Sequence, residues 1–253
     1  MSSFPFSIRF SGILFNLGLG VTLAGGVIYT SHLVTKSWEK MHSTIDVKGY
    51  AESTVSSDYA NWSVRVTVRE QDLSKAYLKL EQETKIVEEF LKKSNISDLK
   101  VEKEPVLKNL LYDRDDKGHQ LSTIARYELD QTLSFTSTNL EGVKDLSMSI
   151  DTLGKQGLEI SASSPIYLVE REKLESLKKD LLAKATTNAR ERAEQFAQSS
   201  GTKIGALVSA RQGVFQVTSQ NSTDVSDYGT YDTSSIEKVV KIVVSLSYRT
   251  AGE

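Results

Sequence analysis

Three histidines stand at positions 32, 42 and 119. They are too far apart in sequence to form a close ligand pair, and no His-Glu-x-x-His motif occurs. His119 closes the acidic run Asp113-Arg-Asp-Asp-Lys-Gly-His119. A calcium loop needs oxygen ligands at its first, third and fifth positions and a glutamate at its twelfth. Counted from Asp113, the fifth position is Lys117 and the twelfth is Ile124. The ligand pattern fails, and the run reads as a solvated hairpin tip turned by Gly118.

Other chemistry is equally silent. Cysteine is absent, which removes thiol catalysis, disulfides, thiolate zinc sites and iron–sulfur clusters. There is no Gly-x-Ser-x-Gly elbow. Gly201 to Gly205 is too short for a dinucleotide fingerprint and follows a helix instead of preceding one. Carboxylates are plentiful, and only geometry reveals a paired-acid site. The sequence assigns no catalytic residue, no cofactor-binding residue and no metal ligand. The net charge of −2 leaves no electrostatic footprint for nucleic acid. The expectation is a protein that is not an enzyme and carries no cofactor.

One polar stretch has contact chemistry. Thr218 to Ser235 is rich in Ser, Thr, Asp and Tyr and reads as a long loop. Its Tyr228-Gly-Thr-Tyr231 offers two tyrosines suited to an interface. A plain polar hairpin loop is the competing reading.

The first element is not a soluble one. Phe10 to Val34 reads FSGILFNLGLGVTLAGGVIYTSHLV, without a charge, between Arg9 and Lys36. A run of about 20 apolar residues crosses a bilayer as a helix. Thr22 and Gly26 form one small-xxx-small pair. A cleaved signal peptide would place small residues such as Thr22-Leu-Ala24 before the cut. The run is longer than a signal core, so the reading is a signal anchor over residues 1–36, with a tether over 37–44. Arg9 and the terminal amine nearly balance Lys36 and Lys40. The short leading segment places the N-terminus inside and the large domain outside.

Beyond the tether the pattern alternates between strand and helix. Ile45 to Tyr50 alternates, and Ala51 to Ser57 is small and polar. Asn61 to Arg69 sets Trp62, Val64, Val66 and Val68 on one face of a strand. Gln71 to Lys93 is a helix with the stripe Leu73, Tyr77, Leu80, Thr84, Val87 and Leu91. Leu99 to Leu111 begins as a strand, with Pro105 marking an edge or bulge. Ser122 to Phe135 is a strand with Tyr127, Leu129, Leu133 and Phe135 on one face.

The second half continues in kind. Asn139 caps a helix to Leu153, and Gly157 to Leu168 is a strand. Glu170 to Ser199 is the longest helix, lined by Leu174, Leu177, Leu181, Ala185, Ala189 and Phe196. Its mixed-sign face of Arg190, Glu191, Arg192 and Glu194 reads as solvated. Gly201 stops it. Ile204 to Val217 is extended, and Val239 to Arg249 closes the sheet with Val240, Ile242, Val244, Leu246 and Tyr248 on one face. The fold class is α+β, a mainly antiparallel sheet with helices packed on it, preceded by one transmembrane helix.

Four segments carry a family resemblance: VKGYAESTVSSDYANWSVRVTV, KQGLEISASSPIY, NARERAEQFAQSSGTKIGALVSARQGVF and EKVVKIVVSLSYR. The resemblance covers about Ile45 to Arg249, and the third block is the most specific. The chain resembles SIMPL-domain proteins, in their membrane-anchored bacterial branch, with Asp227-Tyr228-Gly229 in the loop. The resemblance implies a single-pass inner-membrane protein with its large domain in the periplasm. It implies a self-assembling structural or interaction module, linked to envelope stress, with no catalytic residues to carry over. The expected partners are the membrane and further copies of the chain. The alternative is a periplasmic domain binding a small molecule or glycan, with the Thr218 to Ser235 loop as a lid; an unrecognised hydrolase is a third reading. The closing strand or the Asp227 to Tyr231 loop is expected to supply the subunit contact.

Overall fold

The computed structural model describes residues 43–94, 96–223 and 226–251. The expected membrane span, His32, His42 and most of the tether lie outside the described residues. Among those described, no helix is long and apolar enough to cross a membrane.

The described chain divides into two compact units. The larger unit holds residues 51–183 and 214–242. Its core is a six-stranded sheet in the order β3-β5-β2-β6. The strands are β2 (Tyr59–Glu70), β3 (Lys100–Lys103), β4 (Leu107–Arg114), β5 (Gln120–Ser137), β6 (Ile160–Ala162) and β7 (Ile166–Leu168). β4 also pairs with β5, and β7 with β2. β2 and β5 pair antiparallel from Ala60↔Ser137 to Glu70↔Tyr127. The alternation of β2 does what its sequence requires. Trp62, Val64, Val66 and Val68 are all buried, each valine contributing about 1.5–3 kcal/mol. Across the ladder Trp62 meets Phe135, with ring centroids 5.4 Å apart, and its indole N–H donates to Ser163 O at 2.8 Å.

Helix α1 (Leu73–Lys92) covers this sheet, and Asp72 caps it by accepting from Lys75 N at 2.9 Å. Its buried stripe is Ala76, Leu80, Thr84, Val87 and Leu91. Tyr77, expected on that stripe, is exposed. Ala76 takes the place because the strict three- and four-residue steps back from Leu80 offer both positions, and the small side chain lets the helix sit close. α2 (Leu140–Ser149) starts where expected, with Asn139 accepting from Gly142 N at 3.0 Å. Asp98 reinforces that start by accepting from Ser137 Oγ, Thr138 N and Thr138 Oγ1, each at 2.6 Å. α3 (Asp151–Gly154) follows at once.

Two expected single strands are broken. Pro105 separates β3 from β4, and Ser163 to Pro165 separates β6 from β7. Proline has no N–H for the ladder, so pairing lapses around it.

The smaller unit holds 184–213 and 243–251 together with the described residues up to 50. Its pieces belong to β1 (Thr44–Ser56), α4 (Arg171–Ser199), β8 (Lys203–Gln212) and β11 (Glu237–Ala251). β1 is longer than its first six alternating residues suggested and begins inside the expected tether. Ser43 O accepts from Thr250 N at 3.0 Å. The five-stranded sheet of these strands runs β1-β11-β9-β10, with β8 also on β11. β9 (Gln216–Ser219) and β10 (Thr230–Tyr231) are its short members and pair parallel. Antiparallel ladders otherwise join β2 to β5, β6 and β7, β5 to β3 and β4, and β11 to β8 and β9.

Helix α4 ends as its Ser-Ser-Gly sequence dictates. Gly201 adopts φ 70°. Gly201 N donates to Gln198 O, and Thr202 N donates to Ala197 O, the bond pair of a Schellman stop.

Candidate interaction surface

The block that carried the resemblance makes a tight seam in the smaller unit. Ala185, Ala189, Ala193 and Ala197 recur every fourth residue of α4, and all are buried. Gly49 of β1 sits against them. A Cβ at Gly49 would lie 2.6 Å from Ala189 Cβ and nearer still to the Ala185 carbonyl oxygen. Phe196, expected on this face, is 62% exposed. The column advances by four residues, so Ala193 and Ala197 occupy the line and Phe196 falls a position outside it.

The same helix bonds two backbone groups of β1. Asn188 Oδ1 accepts from Tyr50 N at 3.2 Å, and Arg192 Nη1 donates to Lys48 O at 3.1 Å. The sequence reads Arg192 as part of a merely solvated face. Arg190 and Glu194 of that face do pair with each other, as an i,i+4 bridge at 2.9 Å. Sequence alone could not show that the Arg192 guanidinium reaches strand backbone.

β8 has no such cover. It pairs with β11 alone among the described strands. Residues from Ala206 to Gln212 are exposed on both faces, with Leu207 at 50% and Val208 at 51%. Two register shifts bend it. Ser209 faces Ser247 and Leu207 faces Tyr248, so Val208 has no β11 residue of its own. The other edges are shorter or blunted: β10 has two residues, and β6 and β7 have three each. β4, with eight residues, begins two positions after Pro105 and carries Lys108, Asp113 and Arg114. β11, expected to supply a contact, is internal instead, with β1, β9 and β8 as ladder partners.

In the larger unit the expected Thr218 to Ser235 loop contains the short strand β10. Tyr231 lies in β10, and its hydroxyl accepts from Val169 N at 3.4 Å. Tyr228 is 98% exposed. Asp232 accepts from Ser234 N, Ser234 Oγ and Ser235 Oγ, and faces the fully buried Lys238 at 3.6 Å. Burial pushes the Asp232 carboxyl up, but the two serines and the Lys238 charge outweigh it and bring it to about 2. Burial pulls Lys238 down, with Asp232 acting against it.

The acidic tip folds on itself. Asp115 accepts from Lys117 N at 2.9 Å and His119 N at 2.8 Å, and its second oxygen lies 3.0 Å from His119 Nδ1. Gly118 turns the chain at φ 84°. Those bonds, the His119 backbone first, lower the Asp115 carboxyl. Among the described residues no group of three or more His, Asp or Glu gathers to hold a metal. Several other carboxylates are charge-paired. Arg69 bridges Glu128 and Glu159, and Lys79 meets Glu70 at 2.9 Å. Glu83 differs: burial raises its carboxyl, and its Oε2 has no hydrogen bond.

A comparison with curated proteins finds no match. The SIMPL family model, described as a protein of unknown function (DUF541), matches residues 45–248. The match covers most of the chain, and the chain belongs to the SIMPL family.

Proposed function

We propose that this protein is a non-enzymatic, membrane-tethered envelope module that works by assembling with further copies of itself. The observation that carries the reading is β8, a ten-residue strand with β11 as its one ladder partner among the described strands and with residues 206–212 exposed, Leu207 and Val208 among them. An edge of that length is a template for another strand unless it is covered. The uncharged run from Phe10 to Val34 supplies the tether, long enough for a bilayer crossing. It anchors the chain in the bacterial inner membrane and leaves the large domain in the periplasm. Anchoring confines copies to two dimensions and raises their effective concentration, so modest edge contacts suffice.

The test uses membranes of bacteria expressing the full chain. Alkaline carbonate should leave the 28.0 kDa chain in the membrane pellet. An amine-reactive cross-linker should convert it into a ladder of multiples. Release into the carbonate supernatant would defeat the tether, and a single band at every cross-linker dose would defeat assembly.

The small-molecule alternative draws no support from the two tyrosines, since Tyr228 is exposed and the Tyr231 hydroxyl accepts from Val169 N.

A further inference from the structure

We infer that the larger unit carries a binding crevice for an aliphatic carboxylate, between helix α1 and the edge strand β3. The site is separate from the assembly reading and does not depend on it.

The crevice follows from an uneven cover. β3 has β5 as its one ladder partner among the described strands. Val101 pairs with Phe135, and Lys103 with Leu133. Directly paired residues of an antiparallel ladder share a face. Phe135 and Leu133 are buried in one core with Val87 and Leu91 of α1, so Val101 and Lys103 lie on the face that α1 packs against. Val101 is nevertheless 43% exposed. The helix covers β5 and stops short of β3, which leaves the inner face of the edge strand open.

The space so formed is a crevice of about 400 Å³, within the size range of small-molecule sites. Its apolar wall is Leu91, Ile96, Leu99 and Val101. All four are aliphatic, and none offers an aromatic face on which a planar ring could stack. The wall suits a methylene chain. Ile96 and Leu99 are themselves packed on the core, which fixes the wall in place.

Charge selects the head group. Glu88, Lys92 and Lys103 also line the crevice. Glu88 and Lys103 bridge each other from helix to strand, so their charges cancel. Lys92, exposed in the last turn of α1, has no ion-pair partner among the described residues. One positive charge is therefore left over beside an aliphatic wall, which calls for a monoanion on a chain. A helix C-terminus repels anions through its free carbonyls. Here the Leu91 carbonyl accepts from both Ser94 N at 3.1 Å and Ser94 Oγ at 2.6 Å, and the Lys92 ammonium stands beside it as a compact point charge.

A neighbouring space supplies the contrast. Glu88 and Lys103 line both, so their bridge is the partition between them. The second crevice, of about 370 Å³, contains Glu81 and Lys85 in addition, so no charge is left over. Its Thr84 and Gln131 bond each other at 3.2 Å. Only the first crevice joins an aliphatic wall to an unpaired cation.

The probe is decanoate with a diazirine in its chain, photolysed with the full chain in lipid nanodiscs. Mass spectrometry should locate saturable labelling within residues 88–103, displaced by unlabelled decanoate. Val101→Trp fills the crevice from a half-exposed edge position and should remove most of that labelling with an unchanged circular dichroism spectrum. Lys92→Ala, a surface change, should raise the half-saturating concentration about two- to fivefold. Labelling that rises linearly with probe concentration, or that Val101→Trp leaves intact, overturns the site. A half-saturating concentration unchanged by Lys92→Ala overturns the placement of the carboxylate. Neither result bears on cross-linking between copies, so the assembly reading is judged separately.

Discussion

Gly49 and Ala185 approach so closely that no side chain fits between them. A Cβ on Gly49 would also press on the Ala189 backbone nitrogen at 2.7 Å. The obstacle is helix backbone, which cannot rotate away as a side chain can. Gly49→Ala should therefore cost about 3 kcal/mol or more, at the upper end of overpacking penalties. Gly154→Ala is the control, because nothing lies within 4 Å of a Cβ there. It should be neutral or stabilise by a few tenths of a kcal/mol, up to about 1. Urea titrations of both variants check the contrast.

The side-chain bonds to the β1 backbone are individually small. Losing Arg192 or Asn188 removes one bond each to Lys48 or Tyr50, about 1 kcal/mol apiece. The larger consequence is that two backbone groups of β1, Lys48 O and Tyr50 N, lose these side-chain partners. The double variant Asn188→Ala/Arg192→Ala should aggregate faster on heating than its loss of stability explains. Turbidity measured at equal fractions unfolded separates the two effects.

The acid side of the stability curve should be set by two carboxylates held at about 2, Asp98 and Asp232. For Asp98 the hydrogen bonds from Ser137 and Thr138 are the cause. Both values lie below the unfolded carboxylate range, so both groups contribute stability above about pH 4 and lose it as pH falls toward about 2. Asp232, with 15% side-chain exposure, contributes about 2 kcal/mol. Asp98 is more open and is discounted to about 1 kcal/mol. Asp232→Asn removes the titrating group, so it should flatten the fall of the thermal midpoint between about pH 5 and pH 2. Thermal melts across that range read the slope, and a slope equal to that of the wild type would count against the Asp232 contribution.

Glu83 has the opposite sign. Burial raises its carboxyl, so its ionised form weighs against the fold as pH rises above the unfolded glutamate value of about 4. Glu83→Gln should raise the melting temperature at neutral pH by about 1–3 °C and leave it nearly unchanged at about pH 4. Scanning calorimetry at the two pH values distinguishes this from a general packing effect.

Thr218 Oγ1 is buried and has no hydrogen-bond partner. Thr218→Val keeps the shape and removes the orphan hydroxyl, so it should be neutral or stabilise by up to about 1 kcal/mol. A chemical denaturation curve reads the sign.

The sheet and helix pattern is legible where periodicity is strict. Trp62, Val64, Val66 and Val68 alternate, and their strand has that face buried. Asn139 and Gly201 mark helix ends through local chemistry, and both function there. Legibility fails where one spacing serves two positions. Tyr77 and Phe196 are large and apolar, and sequence places both inside, but alanines take the buried line where backbones crowd. Whether a strand is internal or an edge depends on pairing between distant segments. The sequence therefore offers β11 as a contact strand and β8 as no more than an extended segment. The role of Arg192 is hidden for the same reason, since its partner lies in β1. The tyrosine loop looks like a site by composition, while the structure ties Tyr231 to Val169 and leaves Tyr228 outward.

The most direct test of assembly is the protein mass of the full chain in mild detergent, measured by light scattering over a concentration series. Assembly predicts a defined multiple of 28.0 kDa that persists on dilution. A mass of one chain at every concentration would contradict it.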